Sequence, residues 1–194
     1  MKTAIIIHGM PSKEGYYNSK GDSESNSHWL PWLQHELLIK DILTQTPEMP
    51  SPFEPDYNLW KSVLDQFILN EDTILIGHSC GAGFILRYLS ENNIKVGKIF
   101  LIAPWIDPTH KEAPKMFEFE IDSNLQSKTG EITVFLSNDD DNQIIDSVNI
   151  IKSKLNMTKI LEFSSKGHFC LKDMNTREFP ELLEEILKRN EKKF

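Results

Sequence analysis

The chain has 194 residues, 39% of them hydrophobic, which is enough for one domain with a substantial core, and no linker-like stretch argues for a second. Its 21 basic and 29 acidic residues leave a formal charge of −8, and the basic residues are scattered, so neither nucleic acid nor an anionic membrane is an expected partner. Cys80 and Cys170 make no disulfide framework and share no metal-like spacing with histidines, so both read as free thiols and no metal is expected.

The opening apolar run is too short for a signal peptide and no later run is long enough to cross a bilayer, so a cytoplasmic protein is expected. Residues 3–8 are β-branched and apolar and end at Gly9, the pattern of a buried parallel strand. Residues 29–42 place Trp29, Leu33, Leu37, Leu38 and Ile42 near helical spacing, with Asn26 or Ser27 as the expected N-cap and Pro31 in the first turn. A short strand at 43–46 precedes the proline-rich segment 47–55, and helical periodicity returns over 58–69 through Leu59, Val63, Phe67 and Ile68.

Strands are then predicted at 73–76, 98–103, 131–137 and 158–163, with helices at 82–89, 144–155 and 179–187. Lys188, Arg189, Lys192 and Lys193 read as a solvated helix end. This alternation predicts a three-layer α/β/α sandwich with a mostly parallel central sheet, whose ligand sites lie at the carboxyl ends of the strands. Residues 104–130 are too long for an ordinary connection and are expected to form a lid or a pocket wall.

Between the strand at 73–76 and the helix at 82–89, Gly77-His78-Ser79-Cys80-Gly81 spells G-x-S-x-G, the pattern of a nucleophile elbow. A serine hydroxyl needs an imidazole to take its proton and a carboxylate to orient that imidazole. Of the six histidines, His28, His35 and His110 read as surface or packing residues, His8 as a shaper of the loop after it, and His78 as pointing away from the reactive side of Ser79. His168 follows the last predicted strand and precedes the last helix, which makes it the expected base. The acid falls in Ser137-Asn138-Asp139-Asp140-Asp141-Asn142, with Asp140 first and Asp139 second, while at least one aspartate there should cap the helix starting near Asn142. Backbone N–H groups of Met10 and Cys80 are the expected oxyanion donors. Met10, Trp29, Trp105 and Phe169 are candidates for an apolar substrate wall.

With Ser79, Asp140 and His168 in that chain order, the sequence resembles the α/β-hydrolase superfamily, and within it the small serine hydrolases typified by retinoblastoma-binding protein nine and bacterial YdeN. The resemblance runs through His8-Gly9, His28-Trp29 with Trp32, Met49-Pro50 with Trp60, Ile76-Gly77-His78-Ser79, Ser137-Asn138-Asp139-Asp140 and Gly167-His168-Phe169. It implies no large cap domain and a triad acid at the second aspartate of the S-x-D-D stretch, Asp140. Two departures stand out. Ile144 replaces a proline common after the acid, and Phe67-Ile68-Leu69-Asn70-Glu71 lacks the L-x-C-x-E motif, so binding of retinoblastoma protein is not implied. The expected function is hydrolysis of a small, apolar carboxylic ester or amide through an acyl-serine, without a cofactor. An acyltransferase using the same residues, or a protein-binding module on the same fold, are the alternatives; protein partners are unspecified.

Overall fold

Six strands form one sheet among the residues that the computed structural model describes, 1–155 and 158–188. They are β1 (Thr3–Ile7), β2 (Leu43–Gln45), β3 (Thr73–His78), β4 (Val96–Ile102), β5 (Thr129–Ser137) and β6 (Lys159–Phe163), in the order β2-β1-β3-β4-β5-β6. Every pairing is parallel, so the sheet is wholly rather than mostly parallel. Parallel strands need helical crossovers, and the helices are α1 (Lys13–Tyr16), α2 (Leu30–Leu38), α3 (Tyr57–Leu64), α4 (Cys80–Glu91), α5 (Pro114–Phe117), α6 (Asn142–Lys154), α7 (Leu171–Met174) and α8 (Pro180–Leu187).

The strand order decides where a site can form. From β1 the chain steps outward to β2, then crosses back to β3 and proceeds the other way through β6. Right-handed crossovers therefore put α2 on one face and α3 and α4 on the other, consistent with α2 packing on α8 while α3, α4 and α5 pack together. The reversal falls between β1 and β3, the kind of crevice where ligands bind in open α/β sheets. Both strands are buried on both sides, which is why they read as unbroken apolar runs.

Helix starts and stops differ from expectation for identifiable reasons. Neither Asn26 nor Ser27 caps α2: Asn26 lies in a 3-10 turn (Glu24–Asn26), and the Leu30 N–H is taken by the Ser27 carbonyl, with Trp29 at the N-cap. The helix stops at Leu38 because Asp41 adopts φ 60° and the Ile42 N–H returns to Leu37 O, so Ile42 leaves the helical register yet stays in the core. Asp56 begins α3 by accepting from the N–H groups of Asn58 and Leu59, and α3 ends at Leu64, short of the predicted Leu69. Asp141 caps α6 through the Gln143 N–H.

The stretch 104–130 is more ordered than its lack of periodicity suggests. It contains α5 and a 3-10 turn (Leu125–Lys128), and it folds around the fully buried Asp107. The Asp107 carboxylate accepts from the N–H groups of Lys111, Glu112 and Ala113 and from the Thr109 hydroxyl. Burial pushes its pKa up, but the Ala113, Lys111 and Glu112 bonds together hold it below the ordinary carboxylate value. The basic end from Arg189 onward lies outside the described residues. No helix among the described residues is long and apolar enough to cross a membrane.

Candidate active site

Ser79 sits at the end of β3 with φ 54° and ψ −119°, a conformation rare for a residue with a Cβ. Its N–H continues the sheet by donating to Ile102 O at 2.8 Å, while its carbonyl accepts from Ala82, Gly83 and Trp105 N–H groups at 3.0 to 3.2 Å. The flanking glycines are required by crowding. A Cβ on Gly77 would lie 2.5 Å from Ala82 Cα, and one on Gly81 would lie 2.4 Å from His8 O and 2.5 Å from Ile7 O. The elbow is thus wedged between its own helix and the end of β1.

His168 follows β6 and is partly exposed, and its Nδ1 lies 3.0 Å from both oxygens of the Asp140 carboxyl. A carboxylate only accepts, so Nδ1 carries a proton, and in the neutral ring that tautomer leaves the lone pair on Nε2. The Asp140 side chain is only 3% exposed, which shields this pair from water. Asp139 does something else. It accepts from the Ser137 hydroxyl at 2.5 Å and from the Gly167 N–H at 3.2 Å, joining the loop after β5 to the turn before His168. The Ser137 bond, more than the Gly167 and Lys166 backbone bonds, holds the Asp139 carboxyl below its ordinary pKa.

Ser79 and His168 line the same cleft of about 480 Å³, together with Met10, Trp105, Gln143 and Ile144. A smaller cavity of about 260 Å³ adjoins the same two residues on the side of His8, Met10, Leu30 and Cys170. No hydrogen bond joins Ser79 Oγ to His168 among the described residues, and catalytic contacts of this kind often tighten only when substrate binds. The N–H groups of Met10 and Cys80 have no acceptor among the described residues, so both donors are free beside the serine. The Cys80 side chain is fully buried, and burial raises its thiol far above the ordinary value, so only its backbone has chemistry to offer.

Of the predicted wall residues, Met10 and Trp105 line the cleft, whereas Trp29 and Phe169 do not. Both of the latter are fully buried. Trp29 packs edge-on against His78 and Phe179, and Phe169 stacks on Phe179 and meets Phe163 edge-on, so the apolar core claims them. Trp105 is fixed by its Nε1–H, which donates to Gln143 Oε1 at 3.1 Å, and Gln143 in turn donates to Glu112 at 2.7 Å. Glu112, Gln143, Lys172 and Asp173 lie at the cleft without any sequence pattern that marks them. A separate cavity of about 660 Å³ opens at the other end of the sheet, where Lys2, Ile74, Val96 and Lys98 are among its walls, but among the described residues no histidine lines it.

A serine hydrolase family profile matches residues 13–185. YdeN of Bacillus subtilis, a hydrolase by assignment, is 32% identical over 106 residues, which cover 53% of this chain and half the length of that relative. The crystal structure of the B. subtilis ydeN gene product superposes with a TM-score of 0.80 at 24% identity, covering 96% of this chain and 97% of that one. Est1E from Butyrivibrio proteoclasticus superposes with a TM-score of 0.62 at 13% identity over 96% of this chain and 89% of that one. These two likenesses establish the α/β-hydrolase fold, without a large cap domain.

Proposed function

Because the chain belongs to the serine hydrolase family, we propose that it hydrolyses a carboxylic ester or amide through an acyl-serine intermediate, acting as a single domain. Ser79 Oγ adds to the substrate carbonyl as its proton passes to His168 Nε2, and Asp140 stabilises the resulting imidazolium. The Met10 and Cys80 N–H groups receive the negative oxygen of the tetrahedral adduct. Collapse breaks the bond to the leaving group, which takes the proton from His168. Water then repeats the sequence on the acyl-serine, releasing the acid and restoring the hydroxyl. The observation that carries this reading is the grip of both Asp140 oxygens on His168 Nδ1 at 3.0 Å, beside a serine in the elbow conformation.

The cleft supports a small substrate with an apolar part. Met10, Trp105 and Ile144 offer apolar surface, and a volume near 480 Å³ lies in the range of small-molecule sites. Glu112, Asp139, Asp140, Asp141 and Asp173 face it and, among the described residues, Lys172 is the one lysine or arginine that does, which disfavours an anionic substrate.

The test uses purified protein, p-nitrophenyl acetate and a fluorophosphonate probe, with no added cofactor. Wild type should turn over the ester and be labelled, whereas Ser79→Ala should lose labelling and at least about 10⁴-fold in kcat. Undiminished ester hydrolysis by Ser79→Ala would overturn the reading.

A further inference from the structure

Two histidines outside the proposed triad grip the turn that carries the third. His78 Nε2–H donates to the main-chain carbonyl of His168 at 2.8 Å, and His28 Nδ1 accepts from the Leu171 N–H at 3.1 Å. The rings stand in a row, with centroids 5.8 Å apart for His28 and His78 and 5.0 Å apart for His78 and His168. Each bond fixes a tautomer. A carbonyl only accepts, so His78 is protonated at Nε2; an amide only donates, so neutral His28 keeps its lone pair at Nδ1 and its proton at Nε2.

The turn needs holding. Gly167 and Phe169 have φ of 47° and 55°, and His28 itself has φ 56°, a cluster of left-handed conformations in residues that support one another. Its other restraints include Asp173, which accepts from the His168 and Cys170 N–H groups at 3.2 and 3.3 Å, and the Phe169 N–H bond to Lys166 O. His78 and His28 reach in from elsewhere in the chain, one from the last residue of β3 and the other from the segment before α2. His78 is also the immediate neighbour of Ser79, so one strand end supports both the serine and the turn bearing the base.

We propose that His78 and His28 are positioning residues, which clamp the 167–171 turn to the end of β3 and to the segment before α2, and keep His168 Nε2 in reach of Ser79 while Nδ1 stays on Asp140. The inference rests on the Ser79–His168 reading above. The His28 clamp works only as a neutral ring, because a protonated Nδ1 cannot accept, and the surroundings of both rings favour the neutral form. Burial lowers the pKa of each, and the charges of His168 and His28 lower that of His78 further. His28 faces His168, Arg177 and Lys172, which oppose a positive charge, and Asp173, which favours one.

The variants His78→Leu, His78→Gln, His28→Leu and His28→Asn separate a positioning role from a space-filling one. Gln places an N–H where His78 Nε2 stood, and Asn places an oxygen where His28 Nδ1 stood; the leucines remove the polar atom. With p-nitrophenyl acetate, His78→Leu should lose about 10²-fold in kcat with KM changed less than about twofold, because misalignment near 1 Å has effects of that size. His78→Gln should recover to within about tenfold of wild type, and His28→Asn should outpace His28→Leu by about tenfold. A folded His78→Leu at wild-type kcat overturns the inference, as does His78→Gln no faster than His78→Leu at equal thermal midpoint. Should His78→Leu fail to fold, the partly exposed His28 decides the matter, and equal rates for its Leu and Asn variants overturn the inference. Fluorophosphonate labelling tells the two failures apart. A wild type that is not labelled removes the serine hydrolase reading and this inference with it. A wild type labelled at Ser79, with the histidine variants unimpaired, removes the clamp alone.

Discussion

At the elbow, Ser79 is placed by backbone crowding, with Gly77 and Gly81 each so close to neighbouring main chain that no Cβ fits. At the 167–171 turn, His168 is placed by side chains: Asp173 and His78 bond its backbone, His28 accepts from the Leu171 N–H three residues on, and Asp140 bonds its ring. Both regions hold left-handed residues that strain alone would relax, but the means of holding them differ. Crowding is indifferent to pH and depends on glycines a few residues apart. Hydrogen bonds from distant side chains depend on protonation state and on parts of the chain up to 143 residues away.

The largest expected effect tests the hydrogen-bonded side. Asp140→Asn should lower kcat by about 10⁴-fold by disturbing the tautomer of His168, while Asp139→Asn, which touches the turn through Gly167 rather than the ring, should lose no more than about tenfold. Steady-state kinetics on the two variants decides it; equal losses would break the distinction between the aspartates. On the crowded side, Gly81→Ala should destabilise the protein by about 3 kcal/mol, because the new methyl meets two backbone oxygens that cannot swing away. In a chain of this length that lowers the thermal midpoint by roughly 6–12 °C. A midpoint within about a degree of wild type would mean that crowding does not hold the elbow.

Acid should separate the two regions next. His8, His28 and His78 all have pKa values below the ordinary 6.5, chiefly through burial. The unfolded chain therefore binds protons near pH 6.5 that the folded chain refuses, so the stabilisation is complete above 6.5 and is lost as pH falls toward the depressed values. Each histidine contributes a slope of up to about 1.4 kcal/mol per pH unit in that window. Glu24 acts in the opposite direction, since burial and then Glu48 raise its pKa above 4.5. Urea midpoints at about pH 7.5 and about pH 5.5 should show the fall with acid. Hydrogen-exchange protection at the Leu171 amide should fall more than at Ala82 and Gly83, whose partner is the Ser79 carbonyl. Equal losses at the two places would erase the contrast. The smallest effect belongs to Asp141, whose removal as the α6 cap in Asp141→Ala should lower stability by about 1 kcal/mol, while kcat falls far less than in Asp140→Asn because the Asp141 side chain faces the cleft without bonding the His168 ring. Denaturant titration paired with ester turnover checks both halves.

The same contrast explains what can be read from the sequence. The elbow is legible because crowding leaves its mark in adjacent letters: two glycines around a serine, after an apolar strand and before a helix. The strands are legible for a similar reason, since burial on both faces demands unbroken apolar runs such as residues 3–7 and 73–76. Helix ends are less so, because Asp41 and Asp56 act through φ and capping bonds that periodicity does not record. Trp29 and Phe169 pass for pocket walls in the sequence because position near a strand end does not reveal which side of the backbone faces the core. The aid that His28 and His78 give to the turn leaves no local signal, as it depends on a tertiary fit between three separate segments.

The strand order has one more consequence. β6 is the outermost strand on its side of the sheet, and along it only Ile160, Leu161 and Phe163 are partly buried while Lys159 and Glu162 are exposed. The chain that reaches His168 thus leaves the sheet from its frayable rim, whereas Ser79 leaves from the centre. Local opening at an edge requires less free energy than global unfolding. Mild denaturant should therefore silence the hydrolase by releasing the proposed base, His168, while Ser79 and most of the sheet remain folded, and turnover should vanish at a lower urea concentration than helical circular dichroism.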